Sequence, residues 1–105
     1  MTTTPSQRYL TLQKRYPDLF DALESLGKQA KQSGPLNEKE AQLIQLAAAA
    51  AIRSEGAVHS HTKRALAAGA SKDEVCHCLL LLTSTIGFPS VVAALSWAED
   101  HFDGD

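Results

Sequence analysis

The sequence predicts an all-α protein, a compact bundle of about six helices. Alanine and leucine together number 30 residues, whereas the β-branched valine and isoleucine number 7. Alanine and leucine lose little side-chain freedom in a helix, and the residues that suit a pleated sheet are scarce. Apolar residues also recur at helical spacing between Gly and Pro breakers, which predicts several short helices in succession.

The first two helices are predicted in the N-terminal third. Residues 6–15 form a weak helical segment. Pro17 opens a second helix because proline is favoured at the first helical position. This helix ends near the breaker cluster at residues 33–35. Its apolar stripe consists of Leu19, Phe20, Leu23 and Leu26.

A third helix is predicted to begin after Asn37. The Asn37 side chain can cap the helix, and Glu40 stands three positions later as the partner in a capping box. The body of this helix, AQLIQLAAAAAI, is apolar on nearly all sides, so we expect the helix to lie centrally. One polar edge remains, formed by Glu38, Gln42, Gln45 and Arg53.

Three more helices are predicted in the C-terminal half. Gly56 interrupts the pattern, so the fourth helix should run from about residue 57 to residue 68, with Gly69 as its stop. Ser71 and Glu74 repeat the capping signature and open a fifth helix that continues to residue 86. The last helix should run from residue 89 to about residue 101, after the Gly87-Phe88-Pro89 break.

Length and charge restrict the function. A chain of 105 residues predicts a single domain, residues 1–105, whose N-terminal helices occupy residues 1–35. The net charge of −2 provides no basic surface for phosphates, so nucleic acid is not an expected partner. The apolar runs are too short to span a bilayer, and the polar N-terminus lacks the apolar core of a signal peptide. We therefore expect a cytoplasmic protein that does not bind membranes.

The densest group of titratable residues is SEGAVHSHTKR, residues 54–64. Residues two apart on a helix lie about 200° apart around its axis, so His59 and His61 must face opposite ways. His61 falls on the stripe that faces the core, where it needs a hydrogen-bond partner. His59 falls on the opposite face with Glu55 and Lys63, at i+4 steps typical of a solvated charge ladder.

Several motifs resemble the carboxymuconolactone decarboxylase family, which includes the alkylhydroperoxidase D proteins. The most specific are H-T-x-x-A-L-x-A-G-A-S at residues 61–71 and G-F-P-x-x-x-x-A-L at residues 87–95. The resemblance extends over residues 36–95. It implies the all-helical alkylhydroperoxidase D-like fold and a homo-oligomer, a trimer or a hexamer built from two trimers.

The redox branch of that family carries C-x-x-C-x-x-x-H with a glutamate twelve residues before the first cysteine. At the matching positions His61 retains the histidine, but Ser54 and Ala57 replace the cysteines and Gln42 replaces the glutamate. A serine cannot attack peroxide and then close a disulfide as a thiolate does. The decarboxylase branch also lacks these cysteines, and Glu55, His59 and His61 resemble it more closely.

Cys76 and Cys78 are the two cysteines of the chain. They stand two residues apart on the predicted fifth helix, so their side chains diverge and cannot form a disulfide without unwinding the helix. Their C-H-C spacing also misses the C-x2-C pattern of zinc sites. We interpret them as structural thiols in a reducing compartment, with an intersubunit contact as the alternative.

The leading functional hypothesis is a small decarboxylase-like enzyme without metal or organic cofactor, acting by proton transfer or decarboxylation on a small carboxylate or lactone. His61 is the candidate acid and base. Ser54 could orient it or the substrate, and Gln42 could give a neutral hydrogen bond. Two alternatives stay open. One is alkylhydroperoxidase activity as in the redox branch, and the other is a non-catalytic binding or assembly protein.

Overall fold

A computed structural model of the chain describes residues 7–102. Within that range the protein is all helical, as predicted, and its seven helices, one of them a single turn, agree with the predicted bundle of about six. They are α1 (Gln7–Arg15), α2 (Pro17–Gln32), α3 (Glu38–Ala51), α4 (Glu55–Ala67), α5 (Lys72–Leu80), α6 (Thr83–Ile86) and α7 (Phe88–Glu99). The start proposed for the first helix, Ser6, lies outside the described residues.

The chain divides into two compact units, with the boundary between Leu36 and Asn37. In the first unit, α1 and α2 pair with each other, and the rings of Tyr9 and Phe20 meet edge to face at a centroid distance of 5.2 Å. Within Gln7–Gln32 no residue is buried. The predicted apolar stripe of α2 is correspondingly open to solvent, with Leu26 66% exposed.

The second unit contains the hydrophobic core. Helix α3 packs most extensively on α4 and also contacts α5 and α7, which gives it the central place expected for it in this unit. Small residues let these helices approach closely. The core consists of Leu46, Ala49, Ala50, Val58, Ala65, Ala70, Val75, Leu79, Ala94 and Ala98.

Both predicted capping boxes are present. The Asn37 side chain accepts a hydrogen bond from the Glu40 amide at 2.8 Å, and Glu40 accepts one from the Asn37 amide at 2.9 Å. Ser71 and Glu74 make the same reciprocal pair at the start of α5. Lys39 then joins these two helix starts, because its ammonium group lies 2.9 Å from the Glu74 carboxylate.

The predicted break at Gly56 is wrong. Gly56 lies inside the first turn of α4, and the chain reverses three residues earlier at Arg53, whose φ of +56° is left-handed. The Ser54 amide donates to the Ala49 carbonyl and the Arg53 amide to the Ala50 carbonyl, which is the Schellman pattern. The same pattern ends α4, where Gly69 takes the left-handed position at φ +102°, as its predicted role as a stop requires.

The fifth helix is also shorter than predicted. It ends at Leu80, and residues 81–82 form a turn before the one-turn helix α6. At this point the backbone tightens, since the Leu82 amide bonds to the carbonyl of Leu79, three residues back. The Thr83 hydroxyl donates a hydrogen bond to the Leu80 carbonyl at 2.7 Å, so a side chain competes with the backbone for this carbonyl where α5 ends.

Candidate functional site

The candidate site is built on α4. The sequence predicted correctly which side of this helix faces the core. Val58, Thr62 and Ala65 are fully buried on the face toward the core, and His61 is half-buried beside them. The helix therefore presents His61 to α3. The second prediction from the wheel, that His59 faces solvent, is wrong.

His61 is hydrogen-bonded to Gln42 of α3. The His61 Nδ1 atom lies 2.9 Å from Gln42 Oε1, and the Gln42 Nε2 atom donates to Glu38 Oε2 at 2.7 Å. Three groups thus form one chain, Glu38–Gln42–His61. Gln42 is only 1% exposed, so the polar edge predicted on α3 is covered by α4 at this position and is not a solvated edge.

The order of atoms in this chain follows from chemistry. An ionised carboxylate only accepts hydrogen bonds, so Gln42 must turn its NH2 group toward Glu38 and its carbonyl oxygen toward His61. A carbonyl oxygen also only accepts, so the proton between the two side chains belongs to His61 Nδ1. In the neutral imidazole the lone pair is then on Nε2, which is the basic atom of the ring.

His59 belongs to a second chain of three groups. Its Nδ1 atom lies 2.7 Å from His101 Nε2, and its Nε2 atom lies 3.3 Å from Glu55 Oε2. The two imidazole rings meet edge to face, with centroids 4.9 Å apart. The His59 side chain is only 18% exposed, so it is not a member of a solvated ladder as the sequence predicted, because His101, which follows α7, packs against it.

His101 is the most enclosed histidine of this second chain, at 8% exposed. Burial lowers its pKa, and the neighbouring His59 lowers it further, because a buried imidazole beside a second imidazole resists protonation. Asp100 acts in the opposite direction. His101 therefore favours the neutral imidazole in the folded protein.

Four of the five candidate residues from the sequence thus fall into two groups, and Ser54 belongs to neither. Gln42 and His61 come together, and so do Glu55 and His59, on the other side of α4. Ser54 is the N-cap residue of α4 and makes no side-chain capping hydrogen bond, while its backbone amide completes the turn after α3.

Sequence reasoning missed two participants. Glu38 stands one helical turn before Gln42, so the i, i+4 spacing on a polar edge was a signal that could have identified it. His101 is 42 residues from His59, and nothing in the local pattern of either segment connects them.

The two cysteines are free and half-buried. Burial raises the pKa of the Cys76 thiol, with Glu99 and Asp73 adding to the effect, and burial also raises the pKa of the Cys78 thiol. Cys78 donates a hydrogen bond to the Leu43 carbonyl at 3.2 Å. Both sulfurs thus favour the protonated thiol, which is the less nucleophilic form.

Neither a metal cluster nor a membrane helix is found in the part of the chain that the structure describes. Residues 7–102 contain no group of three or more His, Cys, Asp or Glu side chains placed to hold a metal ion. None of the helices in that range combines the length and the apolar character needed to cross a bilayer.

Comparison with known proteins gives consistent results. The family model named carboxymuconolactone decarboxylase family matches residues 17–100. An uncharacterized protein of Methanocaldococcus jannaschii is 26% identical over 91 residues, which cover 87% of this chain and 85% of the relative. The crystal structure of an apo carboxymuconolactone decarboxylase family protein from Legionella pneumophila superposes with a TM-score of 0.76. It shares 26% identity and covers 88% of this chain and 82% of that one.

Proposed function

Because the chain belongs to the carboxymuconolactone decarboxylase family, we propose that it catalyses cofactor-independent acid–base chemistry on a small carboxylate or lactone. The reaction class is decarboxylation or proton transfer at carbon. The observation that carries the proposal is the hydrogen bond between His61 Nδ1 and Gln42 Oε1, which leaves His61 Nε2 as the basic atom.

Proton transfer at carbon needs a group that takes a proton from one carbon and returns it, and decarboxylation needs a group that delivers to carbon a proton taken up from solvent. Loss of carbon dioxide from a lactone acid leaves an electron-rich dienolate, which must be protonated on carbon by a positioned acid. An imidazole suits this task because its ordinary pKa of about 6.5 is close to neutral pH. A fixed ring also lowers the entropic cost of aligning the proton with the carbon atom.

Two polar groups near the start of α4 could assist this histidine. Ser54 stands at the N-cap, where its hydroxyl makes no capping bond and could orient a substrate. The Arg53 guanidinium donates to the Ser90 hydroxyl at 2.5 Å, which places a positive charge between the α3–α4 turn and α7. A substrate carboxylate is the kind of group that an arginine recognises.

The second chain of groups has a different place in the proposal. Glu55 and His59 are candidate site residues as well, and their contact with His101 gives a path along which a proton can move between two imidazoles. We assign the acid–base step to His61, whose tautomer is fixed by Gln42, whereas His59 is held between a carboxylate and a second imidazole.

Peroxide reduction is the enzyme activity that the sequence opposes most directly. Ser54 and Ala57 stand where the redox branch has cysteines, and the two cysteines that remain have raised pKa values. We place the protein in the cytoplasm, where such thiols stay reduced. A role in binding or assembly without catalysis is the outcome that a negative assay would favour.

We also infer that the active form is a homo-oligomer, a trimer or a hexamer. Four large apolar side chains of the second unit are supporting observations, because a monomer would leave them in water. They are Ile52 at 75%, Leu80 at 47%, Leu81 at 63% and Phe88 at 55% exposed. Light scattering should give a trimer or hexamer mass, and a monodisperse monomer at micromolar concentration would contradict the inference.

The proposed activity is tested with a panel of γ-lactone acids and related small carboxylates. Two signals are followed, the release of carbon dioxide and the incorporation of solvent deuterium at carbon. We expect turnover by the purified protein without added metal or cofactor, and its loss in His61→Ala. Catalytic consumption of organic hydroperoxide at the expense of a dithiol, with no turnover of the panel, would overturn the proposal.

A further inference from the structure

We propose that Glu38 is a positioning residue that sets the tautomer of His61 through the side-chain amide of Gln42. This inference deepens the proposed function and rests on it for its catalytic meaning, but the contact itself is a property of the folded chain. The amide of Gln42 is bonded to Glu38 on one side and to His61 on the other. Glu38 acts by deciding which way the amide between them points.

The need for such a residue comes from the symmetry of an amide. The oxygen and the NH2 group of a glutamine side chain have nearly the same shape, so Gln42 alone could offer His61 either an acceptor or a donor. With the oxygen toward the ring, His61 carries its proton on Nδ1. With the NH2 group toward the ring, the proton must move to Nε2, and the basic atom is then occupied by the contact with Gln42.

Glu38 removes this ambiguity. Its carboxylate oxygen lies 2.7 Å from Gln42 Nε2, and turning the amide over would place two oxygen acceptors against each other. Gln42 is 1% exposed, so water cannot easily replace the lost donor. The local helix supplies the geometry, because residues 38 and 42 are neighbours on one face of α3.

The Gln42 amide also prevents proton transfer along the hydrogen-bonded chain Glu38–Gln42–His61. A neutral side-chain amide neither takes nor releases a proton near neutral pH, so a proton cannot pass from His61 through Gln42 to Glu38. These hydrogen bonds fix the orientation and the tautomer of the His61 ring without carrying its proton away. His61 therefore exchanges its catalytic proton at Nε2, and the proton it takes from a substrate is held on the same atom that can return it.

Nitrogen-15 NMR of the histidine rings tests this proposal on the full-length protein. Spectra are recorded about two pH units above the ordinary imidazole pKa of ~6.5, so that the rings are neutral. His61→Ala identifies the His61 signals. We expect a protonated Nδ1 and a lone-pair-type Nε2 in the unmodified protein, whereas the opposite pattern would overturn the proposal without any variant.

Glu38→Ala should lose this single tautomer and show ring shifts averaged between the two forms. The matched control is Asp73→Ala, which removes a first-turn carboxylate from another helix, α5, and should leave the His61 shifts unchanged. Glu38→Ala/Gln42→Glu should restore the Nδ1-protonated form, because a carboxylate at position 42 accepts directly from the ring. An unchanged His61 spectrum in Glu38→Ala would show that Glu38 does not set the tautomer.

This readout needs no turnover, so the two proposals fail separately. A protein that shows the expected tautomer but is inactive toward the lactone panel would contradict the proposed function alone. If the panel is active, Glu38→Ala should reduce kcat more than it changes KM, with partial recovery in the double variant. Equal activity of Glu38→Ala and the unmodified protein would overturn the positioning role.

Discussion

His59 and His61 lie two positions apart on α4, and each belongs to a hydrogen-bonded chain of three side chains, yet the two chains have different capacities. In the chain that contains His61, an amide separates the ring from the carboxylate. His59 stands in the middle of a chain, with a carboxylate on one nitrogen and a second imidazole on the other. The first chain can orient a ring, whereas the second can move a proton.

The difference teaches that the helical wheel separates the two faces of α4 but does not say what each face meets. From the helical wheel alone, His61 is predicted to be buried and His59 to be exposed to solvent. In the folded protein both histidines are shielded, because α3 covers His61 and His101, which follows α7, covers His59. The functional contrast therefore comes from the partners, an amide against a second imidazole.

The largest expected effect is on catalysis. His61→Ala should lower kcat on a lactone or carboxylate substrate by about 10²–10⁴-fold, the usual contribution of a positioned acid–base group. His59→Ala, its matched control on the same helix, should change kcat only a few-fold. If His59→Ala abolishes turnover while His61→Ala stays active and folded, the two chains have been assigned the wrong way round.

The next effect is on stability. Gln42→Leu should lower the free energy of unfolding by about 1–3 kcal/mol, because it removes both hydrogen bonds of a buried side chain and leaves a ring nitrogen without its acceptor. Urea denaturation measures the change. Gln45→Leu, half-buried on the same helix, is the control and should shift the free energy by less than about 0.5 kcal/mol. Equal effects would mean that the Gln42 contacts carry no stability.

A smaller effect is expected at Thr62, which follows His61 in sequence. Within residues 7–102 its hydroxyl oxygen is buried and has no hydrogen-bond partner. Thr62→Val keeps the branched shape and removes the unpaired group, so the free energy of unfolding should rise by about 1 kcal/mol. The exposed Thr85→Val is the control. A loss of stability in Thr62→Val would indicate that the hydroxyl takes part in the His61 chain.

The smallest effect is a pH dependence that belongs to the His59 chain. The pKa of His101 is lowered in the folded protein, so the unfolded chain binds its proton more readily. Stability from this group is complete above the unfolded value of about 6.5 and declines as pH falls below it toward the lowered pKa. Urea denaturation at a series of pH values should show this decline.

His101→Gln should flatten that decline, because the amide can still bond to His59 but does not titrate. His77→Gln, an exposed histidine on α5, is the control and should leave the profile unchanged. Charges near the pair modify the size of the effect, with Asp100 opposing it and Lys63 adding to it. A profile that stays steep in His101→Gln would assign the pH dependence to another group.

How far the sequence predicts this molecule depends on the distance along the chain over which each feature is determined. The capping boxes at Asn37 and Ser71 were predicted correctly, because each needs only residues three positions apart. The turn at Arg53 was not predicted, since a left-handed arginine is uncommon and glycine is the usual signal for such a turn. Gly56 was consequently given a role that it does not have.

The site follows the same rule. The pairing of His61 with Gln42 agrees with the family positions of both residues, and Glu38 was within reach of an i, i+4 argument. His59 could not be placed from sequence, because its shielding depends on His101, which lies 42 residues away and follows α7. Within the site, a contact one helical turn long was within reach of the sequence, and the contact of His59 with a residue after α7 was not.

The absence of buried residues in Gln7–Gln32 affects how often the backbone hydrogen bonds of α1 and α2 open. Two paired helices with so little shielded apolar surface open often, so their amide hydrogens should exchange with deuterated water much faster than those of α3 and α4. If association of subunits covers the leucines of α2, exchange there slows as protein concentration rises. The exchange rates of backbone amides in the first unit would then report subunit association, while those of buried residues such as Leu46 and Ala49 would report global unfolding.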